Sequence, residues 1–99
     1  MEIFHIAEPD EWASRDDTYF PVGLAAEGFI HCSTQAQLAE VAARFYPDRD
    51  DLVLLTIETE AVSAILRFED FDDAGEGFPH IYGPIALEAV TSHRDFSTV

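Results

Sequence analysis

The chain has 99 residues, and at about 100–200 residues per domain this reads as one domain, residues 1–99. Hydrophobic residues make up 47% and charged residues 25%, a globular rather than disordered composition. Five arginines, no lysine and 20 acids give a net charge of −15, which opposes counterion-release binding to nucleic acid and attraction to anionic membranes. The absence of lysine also excludes Schiff-base chemistry and the lysine of a P-loop. Cys32 has no second cysteine with which to form an internal disulfide, so this is not a stapled secreted scaffold. The start, MEIFHIAEPDEW, carries acids where a signal peptide needs basic residues. No run reaches the ~18 apolar residues of a membrane span. A cytoplasmic protein, a monomer or weak dimer, is the expectation.

In chain order, Glu2–Ala7 reads as a strand, with Ile3, Phe4 and Ile6 suited to a pleated surface. A short helix should follow. Pro9 fits its first position, Asp10 and Glu11 its N-terminal dipole, and Trp12 docks it one turn on. Asp16 to Pro21 reads as a turn and Leu24–Glu27 as one helical turn, and Gly28–Ser33 (GFIHCS) reads as a second strand.

Thr34 and Gln37 have capping-box spacing, and Leu38, Val41, Ala42 and Phe45 form the stripe of an amphipathic helix that Pro47 helps to stop. The nearly unbroken apolar run in Asp51–Thr59 predicts a central strand covered on both faces. Glu60–Ile65 reads as a short helix and Leu66–Glu69 as a strand, with an exposed acidic loop from Glu69 to Gly77. Phe78–Gly83 (FPHIYG) and Ile85–Ser92 are read as the last strands. About six strands and two or three helices make an α+β domain.

Alternation along strands sorts the polar residues. His5 lies opposite Phe4 and Ile6. His31 and Ser33 lie opposite Ile30 and Cys32, Arg67 and Glu69 opposite Phe68, and His80 and Tyr82 opposite Ile81. If these faces converge, they form one pocket lined by His5, His31, Ser33, Arg67, Glu69, His80 and Tyr82. Each histidine taken singly also fits a half-buried structural residue, Trp12, Phe29 and Phe78 fit core or pocket wall, and Cys32 fits the core. Zinc motifs (C-x-x-C, H-E-x-x-H) and the G-x-S-x-G elbow are absent, and no metal is expected. His31 and Cys32 point to opposite faces, which disfavours a Cys–His nucleophile pair.

The strings IFHIAEPDEW, GFIHCSTQAQLAEVAARFY, LVLLTIET, RFED and FPHIYGPI resemble, in order and over nearly the whole chain, the family known as domain of unknown function 952. That resemblance implies an ADP-ribosylation-like fold, with split antiparallel sheets clasping a cleft beside a central amphipathic helix. By the same resemblance the cleft would take NAD. His5 would correspond to a first-strand histidine at the nicotinamide ribose and Ser33, with His31 beside it, to the second-strand hydroxyl. Glu69 would correspond to the acid that stabilises an oxocarbenium-like transition state, although it lies earlier in the chain than the transferase acid. Arg67, His80 and Tyr82 would be ligand-binding, the latter two without counterparts in that pattern. Two functions follow from this reading: an NAD-using transferase, or a non-catalytic module binding a small molecule or nucleotide in the same cleft.

Overall fold

A computed structural model describes residues 1–70 and 77–99. Its described elements are β1 (Glu2–Ala7), α1 (Pro9–Ala13), β2 (Thr18–Tyr19), α2 (Val22–Glu27), β3 (Ile30–His31), α3 (Gln35–Phe45), β4 (Leu52–Glu58), β5 (Ile65–Glu69), β6 (Phe78–Tyr82), β7 (Ile85–Ala86) and β8 (Val90–Phe96). They build three antiparallel sheets, in the orders β1-β4-β8, β2-β7 and β3-β6-β5. The architecture is α+β, with small antiparallel sheets and three α-helices.

The local expectations for α1 and α3 hold for identifiable reasons. Pro9 opens α1, and Trp12 is buried beneath it. In α3 the Thr34 hydroxyl accepts from the Gln37 backbone N–H at 3.3 Å while the Gln37 amide oxygen accepts from the Thr34 N–H at 3.0 Å, so two N–H groups with no helical partner are satisfied. The same Gln37 side chain donates to the Gly77 carbonyl at 2.8 Å, tying α3 to the start of β6.

β4 is central. Leu52 and Leu54 face α3 together with Ile6, while Leu55 and Ile57 face the larger core with Ile3, and all but Ile6 are almost wholly buried. A continuous apolar run is what a strand covered on both faces requires.

Several boundaries differ from the sequence reading. The stretch from Asp16 to Pro21 contains β2, whose Tyr19 is 1% exposed and pairs with Ile85. Gly28–Ser33 is shorter as a ladder strand. Gly28 takes φ 88° as the left-handed cap of α2, a conformation that costs glycine little, and only Ile30 and His31 pair with β6. In place of a helix over Glu60–Ile65 there is a single 3-10 turn, Thr59–Ala61, and β5 already begins at Ile65. Ile85–Ser92 is two strands separated by the 3-10 turn Leu87–Ala89, because Ile85 pairs with β2 whereas β8 pairs with β4. Apolar residues on both sides of that corner conceal it in the sequence. The expected acidic loop falls largely on residues 71–76, outside the described residues.

The two three-stranded sheets meet where β1 touches the chain just after β3. Phe4 N–H donates to the Ser33 carbonyl at 2.8 Å and Ser33 N–H to the Phe4 carbonyl at 2.7 Å. Among the described residues no helix is long and apolar enough to cross a membrane.

Candidate functional site

Beside this seam, with Phe4 and Ser33 both on its lining, lies a cleft of about 590 Å³, within the roughly 300–1,000 Å³ that small-molecule sites occupy. One wall belongs to β1 and α3: Phe4 and Ile6 from the strand, Val41, Arg44 and Phe45 from the helix, and Tyr46 just beyond it. The opposite wall belongs to the β3-β6-β5 sheet and the segment that leaves it, and presents His31, Ser33, His80, Phe78, Glu69 and Asp70. An apolar wall carrying one guanidinium thus faces a wall of histidines, a hydroxyl and carboxylates.

Strand register explains the second wall. His31 pairs with His80, and His80 with Arg67, so these three share a sheet face. On that face His80 Nδ1 lies 3.0 Å from Glu69 Oε1. Because a carboxylate accepts, Nδ1 is the protonated nitrogen. The Tyr82 hydroxyl donates to the same oxygen. These two bonds, first from Tyr82 and then from His80, hold the Glu69 carboxyl below its ordinary pKa, and the bond to Glu69 raises that of the Tyr82 phenol. Phe29 stacks on the His80 ring at 4.3 Å and 28°, and His31 meets it edge-on at 5.2 Å and 82°. His80 is 4% exposed, so its orientation is determined by packing as well as by Glu69.

His31, Ser33, Glu69 and His80 therefore come together on the cleft as expected from the alternation of strand faces. Tyr82 stands behind Glu69, bonded to it. Arg67 is exposed, its guanidinium 5.7 Å from the Tyr82 ring, and it does not line the cleft. His5 does not line it either. Being on the β1 face opposite Phe4 and Ile6, which line the cleft, it points away from it. The His5 Nδ1 lies 2.6 Å from the His31 carbonyl oxygen and its Nε2 3.0 Å from the Tyr19 hydroxyl. Burial lowers its pKa to about 4, so the ring is neutral at pH 7. It borders a second, smaller cavity of about 140 Å³, where His31, Glu27, Ile6 and Tyr46 also line the wall.

The sequence reading missed Arg44, Asp70 and Glu27. Glu27 was findable as the residue four before His31, and its Oε2 lies 3.0 Å from His31 Nε2. Both side chains are exposed, so the pair contributes little to stability. Arg44 follows Val41 by three positions, the helical spacing that puts two residues on adjoining surface. Cys32 is buried in the core and touches the cleft floor, and burial raises its thiol pKa. Among the described residues no group of three or more His, Cys, Asp or Glu is arranged to hold a metal ion.

The family model described as protein of unknown function (DUF952) matches residues 6–93. The chain belongs to this family. Its fold is similar to the crystal structure of protein CC0527 from Caulobacter crescentus, with TM-score 0.85 and 32% identity over 96% of this chain and 85% of that one. A double-mutant crystal structure of the same protein matches equally. Its solution structure gives TM-score 0.73 at 29% identity, over 97% of this chain and 84% of that one. No curated protein matches this DUF952 chain.

Proposed function

We propose that this DUF952 protein binds a small organic molecule in the cleft, with Glu69 as a fixed negative charge opposite a positive or developing positive centre of that molecule. The observation that carries the proposal is the double donation from Tyr82 and His80 to one oxygen, Glu69 Oε1. Two donors on one oxygen keep the carboxylate ionised and oriented before any ligand arrives, which is the preorganisation that electrostatic stabilisation of charge requires. Among the described residues Oε2 takes no hydrogen bond and is left for the ligand. Phe4, Phe45 and Phe78 supply apolar and aromatic surface around it.

The enzymatic form of this reading is the one implied by the ADP-ribosyltransferase resemblance. The ligand is then NAD, with the bond from ribose to nicotinamide breaking, its electron pair leaving with nicotinamide, and an acceptor nucleophile taking the ribose carbon. Glu69 would face the charge that builds on the ribose, with Ser33 and His31 beside it and Arg44 as the cation available to the pyrophosphate. The second reading, a non-catalytic binding module, is favoured by the acids Glu27, Glu69 and Asp70 at the cleft, which work against capture of an anionic dinucleotide.

Titration with NAD, followed through backbone amide and histidine-ring NMR signals, tests the first reading. Shifts at His31, Ser33, Glu69 and His80 are expected. No shift at millimolar NAD overturns the dinucleotide version. If NAD binds, release of nicotinamide by the parent protein but not by Glu69→Gln, at nearly equal affinity, identifies the enzyme. Absence of turnover, together with weaker binding in the variant, identifies the module.

A further inference from the structure

His5 connects all three sheets. Its own strand β1 belongs to β1-β4-β8, its Nε2 partner Tyr19 to β2-β7, and its Nδ1 partner His31 to β3-β6-β5. A carbonyl oxygen can only accept, so the 2.6 Å contact to the His31 oxygen requires hydrogen on Nδ1. A neutral ring then has its lone pair on Nε2, where the Tyr19 hydroxyl must donate. The donor order is thereby set: Tyr19 hydroxyl to His5 Nε2, and His5 Nδ1–H to the His31 carbonyl. His5 and Tyr19 are 9% and 1% exposed, so both bonds are made largely out of bulk water.

We infer that His5 is a positioning residue, which sets the cleft by holding the segment that carries His31 and Ser33 against β1. Two backbone bonds, between Phe4 and Ser33, close the seam from one side of that segment's path. The His5 side chain adds a third tie two residues earlier, at His31. With it, His31 and Ser33 face the cleft in one register. Without it, the seam opens locally. The bearing of this on ligand binding rests on the cleft reading above, but the tie itself does not, and it is tested without ligand.

The single thiol, Cys32, lies between His31 and Ser33 and is 4% exposed, so its rate of modification by a thiol reagent reports opening of the seam. Asparagine places an amide N–H where His Nδ1 stands, whereas glutamine places its amide near Nε2. His5→Gln should therefore label about tenfold faster or more, the loss expected when a buried carbonyl loses its donor. His5→Asn should stay within about threefold of the parent. The excess rate in His5→Gln should be insensitive to low urea, as a local opening is, whereas labelling through global unfolding rises steeply with urea. Equal rates in the two variants, or an excess that appears only through global unfolding, overturn the inference. A measurement on the parent protein decides the matter if neither variant folds. The His5 ring nitrogens should show the Nδ1–H tautomer by ¹⁵N chemical shift, and an Nε2–H tautomer overturns the assignment.

Discussion

His5 and His80 are both strand histidines with almost no exposure, yet their surroundings differ in kind. His5 sits against the apolar β1-β4-β8 sheet and bonds to two neutral groups, a carbonyl and a phenol. His80 sits in the β3-β6-β5 sheet and bonds to a carboxylate at the edge of a cleft. Burial among neutral partners disfavours the imidazolium and makes the first ring a structural tie. A carboxylate beside the second orients it and is itself kept charged. The comparison teaches that burial of a histidine is no guide to its role, whereas the charge and accessibility of its partner are.

The contrast can be broken at several points. Truncating the apolar sheet should have the largest effect. Leu55 is 0% exposed and faces His5 across the β1–β4 ladder, so Leu55→Ala should cost about 2–5 kcal/mol in urea-unfolding midpoint experiments.

Acid should act next, and selectively through His5. Its folded pKa of about 4 lies below the ordinary histidine value of 6.5, so between these values the unfolded state binds the extra proton. Stability therefore rises with pH and is lost as pH falls from 6.5 toward 4, by about 3 kcal/mol for this group, with no further loss from it below both values. Unfolding curves across that window measure it, and His5→Asn should flatten the profile. Glu69 has the same sign in a lower window, since its depressed pKa gives stability that disappears as pH drops below the ordinary carboxylate range.

On the cleft side the comparison sharpens in the opposite sense. Tyr82→Phe removes one donor from Glu69 and should raise the carboxyl pKa, read by carboxyl ¹³C shifts, while leaving the unfolding midpoint far closer to the parent than Leu55→Ala does. Any ligand found to bind through Glu69 should lose about tenfold or more in affinity or turnover in this variant. Thr34→Ala should be the mildest, costing about 1 kcal/mol through loss of the α3 cap. Its effect on the cleft should come only through Gln37, which the cap and the Gly77 carbonyl hold together.

Much of this molecule was legible locally. The capping box, the apolar stripe of α3, the two-sided character of β4 and the faces of β3, β5 and β6 are properties of residues within a few positions of one another. Each predicted strand face was correct where a strand formed, because side-chain direction alternates whatever the partner strand. What could not be read was pairing. Tyr19 resembles a turn residue until β7 arrives to pair with it, and the corner at Leu87–Ala89 is invisible where apolar residues continue through it. The candidate site divided on the same line. His31, Glu69 and His80 lie together because they share one sheet face, Ser33 joins them from the bridge just after β3, and His5 falls outside the group because of strand order.

By itself the sequence determined which residues are polar on each strand, where α3 begins, and that an acidic chain of this size forms an α+β core without a disulfide. Those outcomes follow from hydrophobic periodicity and from hydrogen bonds closed over three or four residues. Only the tertiary structure decided that the sheets meet at the Phe4–Ser33 seam, that His5 bonds to Tyr19 while His80 bonds to Glu69, and that Arg44 lines the same cleft as His31 and His80. These depend on contacts between residues far apart in the chain, whose geometry is set by the packing of whole sheets rather than by any local preference.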